Sequence, residues 1–107
     1  MSSSELTTAA CWAGRPVARK IIDTVPRGRV VITGVVCVTR VTEERGTDSF
    51  ECLMDDGSGE LGLLFLGRRT VPGITIGTRC TVEGTARIEG GRFVLWNPLY
   101  QIEPANE

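Results

Sequence analysis

The sequence predicts an all-β fold, a five-stranded Greek-key barrel with short or absent helices. Five segments rich in β-branched and apolar residues have the length of strands, and turns with glycine join the second segment to the third and the fourth to the fifth. The N-terminal stretch with helical spacing lies between Pro16 and Pro26, which limit it to about two turns. A chain of 107 residues is long enough for one such barrel around a single core.

The first predicted strand covers residues 29–41 and has apolar side chains on both parities, with Gly34 in its middle. This pattern is typical of a strand that is covered on both faces. We expect the strand to bend at the glycine and to serve two parts of the sheet in turn, because glycine tolerates the geometry of a bulge. Residues 42–49 are charged and contain a glycine, so we interpret them as a loop.

The second and third strands form a predicted hairpin. Residues 50–56 and 60–67 alternate with the period of two that a half-buried strand requires. The Asp-Gly pair between them tolerates positive φ and predicts a tight turn. We expect Asp55 and Asp56 to cap this turn by accepting hydrogen bonds from backbone amides, because neighbouring carboxylates in a strand point to opposite faces and cannot share a metal ion.

The fourth and fifth strands complete the barrel. Residues 79–88 alternate, a turn with two glycines comes next, and residues 92–102 form the last strand, which Pro98 ends or moves to an edge of the sheet. The connection at 68–78 has room for no more than one helical turn. The expected organisation is an N-terminal tail with a short helix or extended cap at 1–26, the barrel at 27–102 and a C-terminal tail at 103–107.

Composition argues against an enzyme. The chain has no histidine, which excludes imidazole as a general base or metal ligand and the triads that depend on it. The four cysteines contain no CxxC pair, so neither a zinc site nor a disulfide framework is expected, and Cys37, Cys52 and Cys80 are predicted to lie in the core. We predict no catalytic residue, no metal and no cofactor.

Charge and hydropathy restrict the partners. The 12 basic and 13 acidic residues give a formal net charge of −1, so binding to an anionic polymer must come from a local patch. All cations except Lys20 are arginine, whose planar fork suits phosphate contacts and stacking on bases. The N-terminus lacks the features of a secretory signal, and no run of 18 apolar residues occurs, so we expect a soluble cytoplasmic protein without a membrane partner.

Three motifs carry a resemblance to a known fold family: "DDGSGELGLLFLGRR" at 55–69, "VPGITIGTRCTVEGTA" at 71–86 and "RFVLWNPLY" at 92–100. Together they resemble the oligonucleotide/oligosaccharide-binding (OB) fold, in particular small stand-alone actinobacterial OB-fold proteins that bind nucleic acid. The chain is also similar to the wedge domain of branched-DNA helicases and, more distantly, to the anticodon-binding domain of class II aminoacyl-tRNA synthetases. The match covers about residues 27–102.

The resemblance implies a module that binds single-stranded or branched DNA, or RNA, in a cleft flanked by the loops joining strands 1 to 2 and 4 to 5. Where anticodon-binding domains have an outward stacking aromatic, this chain has Glu51, and the base-reading position is Gly62. Outward leucines would form an apolar floor with an acidic rim. The floor residues are Leu53, Leu64 and Leu66, and the rim residues are Glu51, Asp55 and Glu60.

The candidate binding residues are therefore arginines at the loops and strand ends, with one aromatic side chain. Arginines supply the electrostatic part of single-strand binding and an exposed aromatic supplies the stacking part. Trp96 and Phe93 have opposite parities in the last strand, so at most one of them faces solvent. The candidates are Arg40, Arg45, Arg68, Arg69, Arg87, Arg92 and Trp96.

A second function is open at this point. The outward leucines, the acidic rim and the edge near Pro98 also suit a protein-interaction module that binds another protein or a second copy of the chain without binding nucleic acid. Sugar binding has only the fold in its favour. The sequence does not distinguish DNA from RNA.

Overall fold

The structure is a computed structural model that describes residues 6–44 and 46–104. In the described residues it is all-β, and the only helical turn is a 3-10 turn at Ile21–Asp23. No helix in these residues is both long enough and apolar enough to cross a membrane. The strands are β1 (Cys11–Trp12), β2 (Arg15–Pro16), β3 (Arg29–Glu44), β4 (Thr47–Asp55), β5 (Glu60–Leu66), β6 (Arg79–Glu89), β7 (Arg92–Trp96) and β8 (Leu99–Ile102).

Five strands form a closed ring in the order β3-β4-β5-β7-β6, and β6 pairs with β3 to complete it. All neighbours in the ring are antiparallel except β5 and β7, which are parallel over Gly62–Leu64 and Val94–Trp96. This is the strand order of an OB fold, and it confirms the predicted five-stranded Greek-key barrel. The short hairpin of β1 and β2 lies outside the ring.

The long strand β3 serves two parts of the ring, as predicted. Its first half, Arg29–Val35, pairs with β6, and its second half, Val35–Glu44, pairs with β4. At Gly34 an added Cβ would lie 2.6 Å from the carbonyl oxygen of Asp55, so the glycine permits a close approach of two backbones. The register shift itself falls further along the strand, between Val36 and Val38.

The register shift explains one wrong prediction. Cys37 lies at the shift and its side chain is exposed, although the apolar pattern placed it in the core. A bulge inserts a residue and reverses the parity of the residues after it, which a count along the sequence cannot show. Cys52 and Cys80 are buried as predicted, and burial raises the pKa of their thiols to about 12 and about 11.

The core fills the interior of the ring with large apolar side chains. Ile32, Met54, Leu61, Leu63 and Leu95 are almost completely buried. They come from β3, β4, β5 and β7. Met54, Leu61 and Leu63 have the parity that the alternation in the second and third predicted strands assigned to one face. Phe50 and Phe65 are buried and Phe93 packs against this core from a partly buried position.

The turn between β4 and β5 is capped as predicted. Asp55 Oδ1 accepts a hydrogen bond from the Gly57 amide at 2.6 Å, and Asp56 Oδ1 accepts one from the Ser58 amide at 2.8 Å. Asp56 Oδ2 also accepts from the Ile21 amide at 2.9 Å, which fixes the 3-10 turn to the barrel. Burial raises the pKa of Asp56, but these hydrogen bonds lower it by more, so the net shift is below the ordinary value.

The structure tests two predicted features of the connections, the loop at residues 42–49 and the end of the last strand at Pro98. Residues 42–49 are not a loop, since β3 continues to Glu44 and β4 begins at Thr47, and Thr42 pairs with Ser49. Charged side chains on an exposed hairpin point into solvent, so polarity alone does not indicate a loop. Pro98 does end the last strand: β7 stops at Trp96, Asn97 takes a φ of 48°, and β8 pairs with β6.

Candidate functional site

The outward face of the second half of β3, of β4, β5 and β7, and the turn between β6 and β7 enclose an open groove with a volume of about 450 Å³. Its floor is apolar and is formed by Val38, Leu53, Leu64 and Val94. A Cβ added at Gly62 would lie 3.2 Å from Val94 Cγ2, so the absence of a side chain at Gly62 leaves space in the middle of the groove. We refer to this surface as the groove.

The register of the strands arranges one row of side chains across the groove. Arg40 is the partner of Glu51, Glu51 is the partner of Leu64, and Leu64 is the partner of Trp96. Because register partners on neighbouring strands point to the same face, these four side chains lie on the outer surface of the barrel. The outward orientation predicted for Leu64 and for Glu51 is therefore present.

The arginines of the groove face carboxylates. Arg40 Nη2 lies 2.6 Å from Glu51 Oε1, and Arg92 Nη2 lies 3.7 Å from Glu60 Oε1. The acidic rim expected from the sequence is thus neutralised, and Asp55 is occupied in the turn. Ion pairs between exposed side chains contribute about 0–1 kcal/mol, so another anion can replace the carboxylate at small cost.

Trp96 stands at the rim of the groove and faces outward, whereas Phe93 faces the core. The indole Nε1 donates a hydrogen bond to Glu89 Oε2 at 2.6 Å, and Glu89 also lines the groove. The guanidinium carbon of Arg87 lies 3.9 Å from the centroid of the indole ring. The Trp96 side chain is 38% exposed and holds a cation against one face of its ring.

Of the candidates, Arg40 and Arg92 line the groove, whereas Arg87 and Trp96 lie beside it and contact Glu89 in its lining. Arg69 Nη1 contacts Asp48 Oδ2 at 3.0 Å, beside the start of β4, and Arg68 is exposed next to it. Arg45 lies outside the described residues. The structure therefore places Arg40 and Arg92 in the groove, Trp96 and its partner Arg87 next to it, and Arg68 and Arg69 beyond the end of β5.

A second stack of arginine on tryptophan was not predicted. The guanidinium carbon of Arg29 lies 4.8 Å from the ring centroid of Trp12, a half-exposed side chain in the hairpin of β1 and β2. The sequence signal for it is weak. It consists of a tryptophan shortly before a glycine, Gly14. In the structure Ala13 and Gly14 both adopt positive φ and return the chain toward the barrel.

No protein-family model matches the chain, and no curated protein matches it either.

Proposed function

We propose that this protein is a non-enzymatic OB-fold module that binds single-stranded or branched nucleic acid in the groove. The observation that carries the proposal is an open apolar groove lined by Arg40 and Arg92, with the partly exposed Trp96 beside it as the register partner of Leu64. Proteins that bind single strands combine cations for the backbone with ring faces and apolar surface for the bases. A cytoplasmic location and the choice between DNA and RNA remain predictions to test.

Binding would exchange partners that the free protein already holds. A phosphate takes the place of Glu51 beside Arg40 and of Glu60 beside Arg92, while bases lie on the apolar floor. Arg87 leaves the ring of Trp96 and the carboxylate of Glu89 for a phosphate, and a base takes its position on the ring. Displacing a guanidinium from an exposed ring costs about 0.5–1 kcal/mol, whereas stacking a base contributes about 1–3 kcal/mol.

One observation favours a second candidate function. Val38 in the groove is 50% exposed, and Leu66, which has the same outward parity in β5 as Leu64, is 40% exposed. Exposed apolar side chains next to one another are typical of a surface that binds a protein. In this alternative the groove binds another protein or a second copy of the chain, and the arginines serve only as partners of the carboxylates.

The proposal is tested by fluorescence anisotropy with labelled single-stranded DNA, duplex DNA and RNA at low and physiological salt. Two variants with opposite charge changes test whether positive charge in the groove favours binding. Arg40→Gln is expected to weaken binding, and Glu51→Gln is expected to strengthen it about twofold to fivefold at low salt, because it removes an anion near the phosphate. Arg79→Gln is the matched control, since Arg79 pairs with Glu103 away from the groove.

The outcomes separate the two candidates. Opposite responses of Arg40→Gln and Glu51→Gln, with no change in Arg79→Gln, support nucleic-acid binding in the groove. Absence of binding to every probe at low salt refutes it. Concentration-dependent sedimentation of the wild-type protein would then favour self-association through Val38 and Leu66.

A further inference from the structure

A second depression lies on the outer face of β6, next to the groove but formed by different residues. Its volume is about 540 Å³, and its lining includes Arg27, Arg29, Arg87 and Trp96. We refer to it as the arginine depression. Trp96 connects the two surfaces, because its side chain lines the depression and bonds to Glu89, which lines the groove.

The charge of the arginine depression is not balanced as it is in the groove. The carboxylate that lines it, Glu83, is only 3% exposed and accepts hydrogen bonds from Arg29 Nε at 3.2 Å, from Arg29 Nη2 at 3.0 Å and from the Thr7 amide at 2.8 Å. Glu83 is therefore satisfied by Arg29 and the backbone. Arg87 Nε lies 3.9 Å from Glu89 Oε2, so among the described residues it is the guanidinium of Arg27 that remains as excess positive charge at this surface.

Arg27 occupies an unusual backbone position. It has a φ of 64°, and the Gly28 amide donates to the Val25 carbonyl at 2.9 Å, so the turn has the form of a type II turn with Arg27 at its third position. Glycine and asparagine fit that position best, because other residues are strained there. Within the described residues the side chain of Arg27 makes no hydrogen bond and no ion pair.

Two arginines that line the depression each lie against an indole ring, one of which also lines it. Trp96 carries the guanidinium of Arg87 at 3.9 Å, and Trp12 carries that of Arg29 at 4.8 Å. Arg29 is the register partner of Thr85, and its Nη1 donates to Thr85 Oγ1 at 3.4 Å, which holds the second stack beside β6. Cations that alternate with exposed rings suit a chain in which phosphates alternate with bases.

We propose that the arginine depression holds a phosphate of the bound strand after the strand leaves the groove, with Arg27 and Arg87 as its ligands and Trp12 as the stacking surface for the next base. This inference rests on the proposed function and deepens it. It assigns a role to Trp12 and Arg27, and it predicts that a long strand covers two faces of the barrel.

The test compares oligothymidylates of about 5 and about 15 nucleotides, which span the lower and upper parts of the range that one OB fold covers. Arg27→Asn removes the charge and keeps a residue that tolerates positive φ. It is expected to weaken binding of the long strand about threefold to tenfold and to leave the affinity for the short strand unchanged. The slope of the logarithm of the long strand's binding constant against the logarithm of salt concentration is expected to become shallower by about 0.7. Arg79→Asn removes the same charge near the other end of β6 and is the control.

A second measurement uses the two tryptophans of the chain. In the Trp96→Phe variant, which keeps a ring beside the groove, all tryptophan emission comes from Trp12. At strand concentrations that saturate this variant in the anisotropy assay, the long strand is expected to quench the emission while the short strand does not. If Arg27→Asn behaves like the wild type, or like Arg79→Asn, and Trp12 is not quenched, the depression is not part of the interface although the groove is. If the wild type binds neither strand, the proposed function and this inference both fail.

Discussion

The close approach at Gly34 predicts that a single added methyl group destabilises the barrel, because it would make the shortest contact of any Cβ added at a glycine of this chain. In Gly34→Ala the new Cβ would lie 2.6 Å from the Asp55 carbonyl oxygen and 3.0 Å from Met54 Cε, whereas ordinary contact begins at 3.4 Å. The carbonyl oxygen belongs to the backbone of β4 and must retreat by about 0.8 Å. Overpacking that forces such a backbone shift costs about 1–3 kcal/mol.

Gly84→Ala is the matched control, because Gly84 is also a buried glycine within a strand of the ring. Its new Cβ would lie 3.5 Å from three atoms of Leu95, which is ordinary van der Waals contact. We expect this variant to be neutral or stabilised by about 0.4–1 kcal/mol, since alanine has fewer unfolded conformations than glycine.

Urea unfolding followed by tryptophan fluorescence measures both variants. With a slope of about 1–3 kcal/mol per molar urea, a loss of about 2 kcal/mol lowers the midpoint of Gly34→Ala by about 1 M. The midpoint of Gly84→Ala should equal or exceed that of the wild type. Equal midpoints for the two variants would refute the account of β3, because they would show that Gly34 is not required where the strand passes from β6 to β4.

Two further predictions concern the turn and the thiols. Asp56→Asn should cost about 1 kcal/mol at neutral pH, because the pKa of Asp56 is lowered in the folded state and its charged hydrogen bonds are present above a pH of about 3.9. Denaturant midpoints measured at a series of decreasing pH values should fall for the wild type as the pH approaches the pKa of Asp56 in the folded state. The midpoints of the variant should change less. A thiol reagent at a pH of about 8, near the ordinary pKa of a thiol, should modify Cys11 and Cys37 under native conditions, because they are exposed, and spare Cys52 and Cys80. Mass spectrometry of the labelled chain that found Cys52 and Cys80 modified would contradict their burial.

Strand positions could be predicted from the sequence because burial in a closed ring imposes a period of two. The inward side chains of β4 and β5, such as Cys52 and Leu63, are at the predicted parity, and Trp96 faces outward while Phe93 faces inward. The turn residue Asp56 was predictable for a different reason, since an Asp-Gly pair has few conformations and the carboxylate has few possible donors.

Features that depend on the register between strands could not be predicted. A bulge at Cys37 changes parity without any sign in the local composition. The pairing of Arg40 with Glu51 depends on which residues of β3 and β4 are opposite each other, so the sequence showed an acidic rim where the structure has ion pairs. Trp12 reaches Arg29 only because the N-terminal hairpin lies against the barrel, a contact between segments far apart in the chain.

The two surfaces differ in how their cations are compensated, and this difference determines what each contributes to affinity. A phosphate that reaches Arg40 replaces a carboxylate of the protein, so that exchange releases few counterions and gains little from charge. Affinity in the groove must therefore come from contacts of the bases with the apolar floor and with Trp96, and salt affects these contacts weakly. At Arg27 no carboxylate among the described residues is displaced, so a phosphate there releases counterions. The salt slope of a long strand should then exceed that of a short one, and the excess should depend on Arg27.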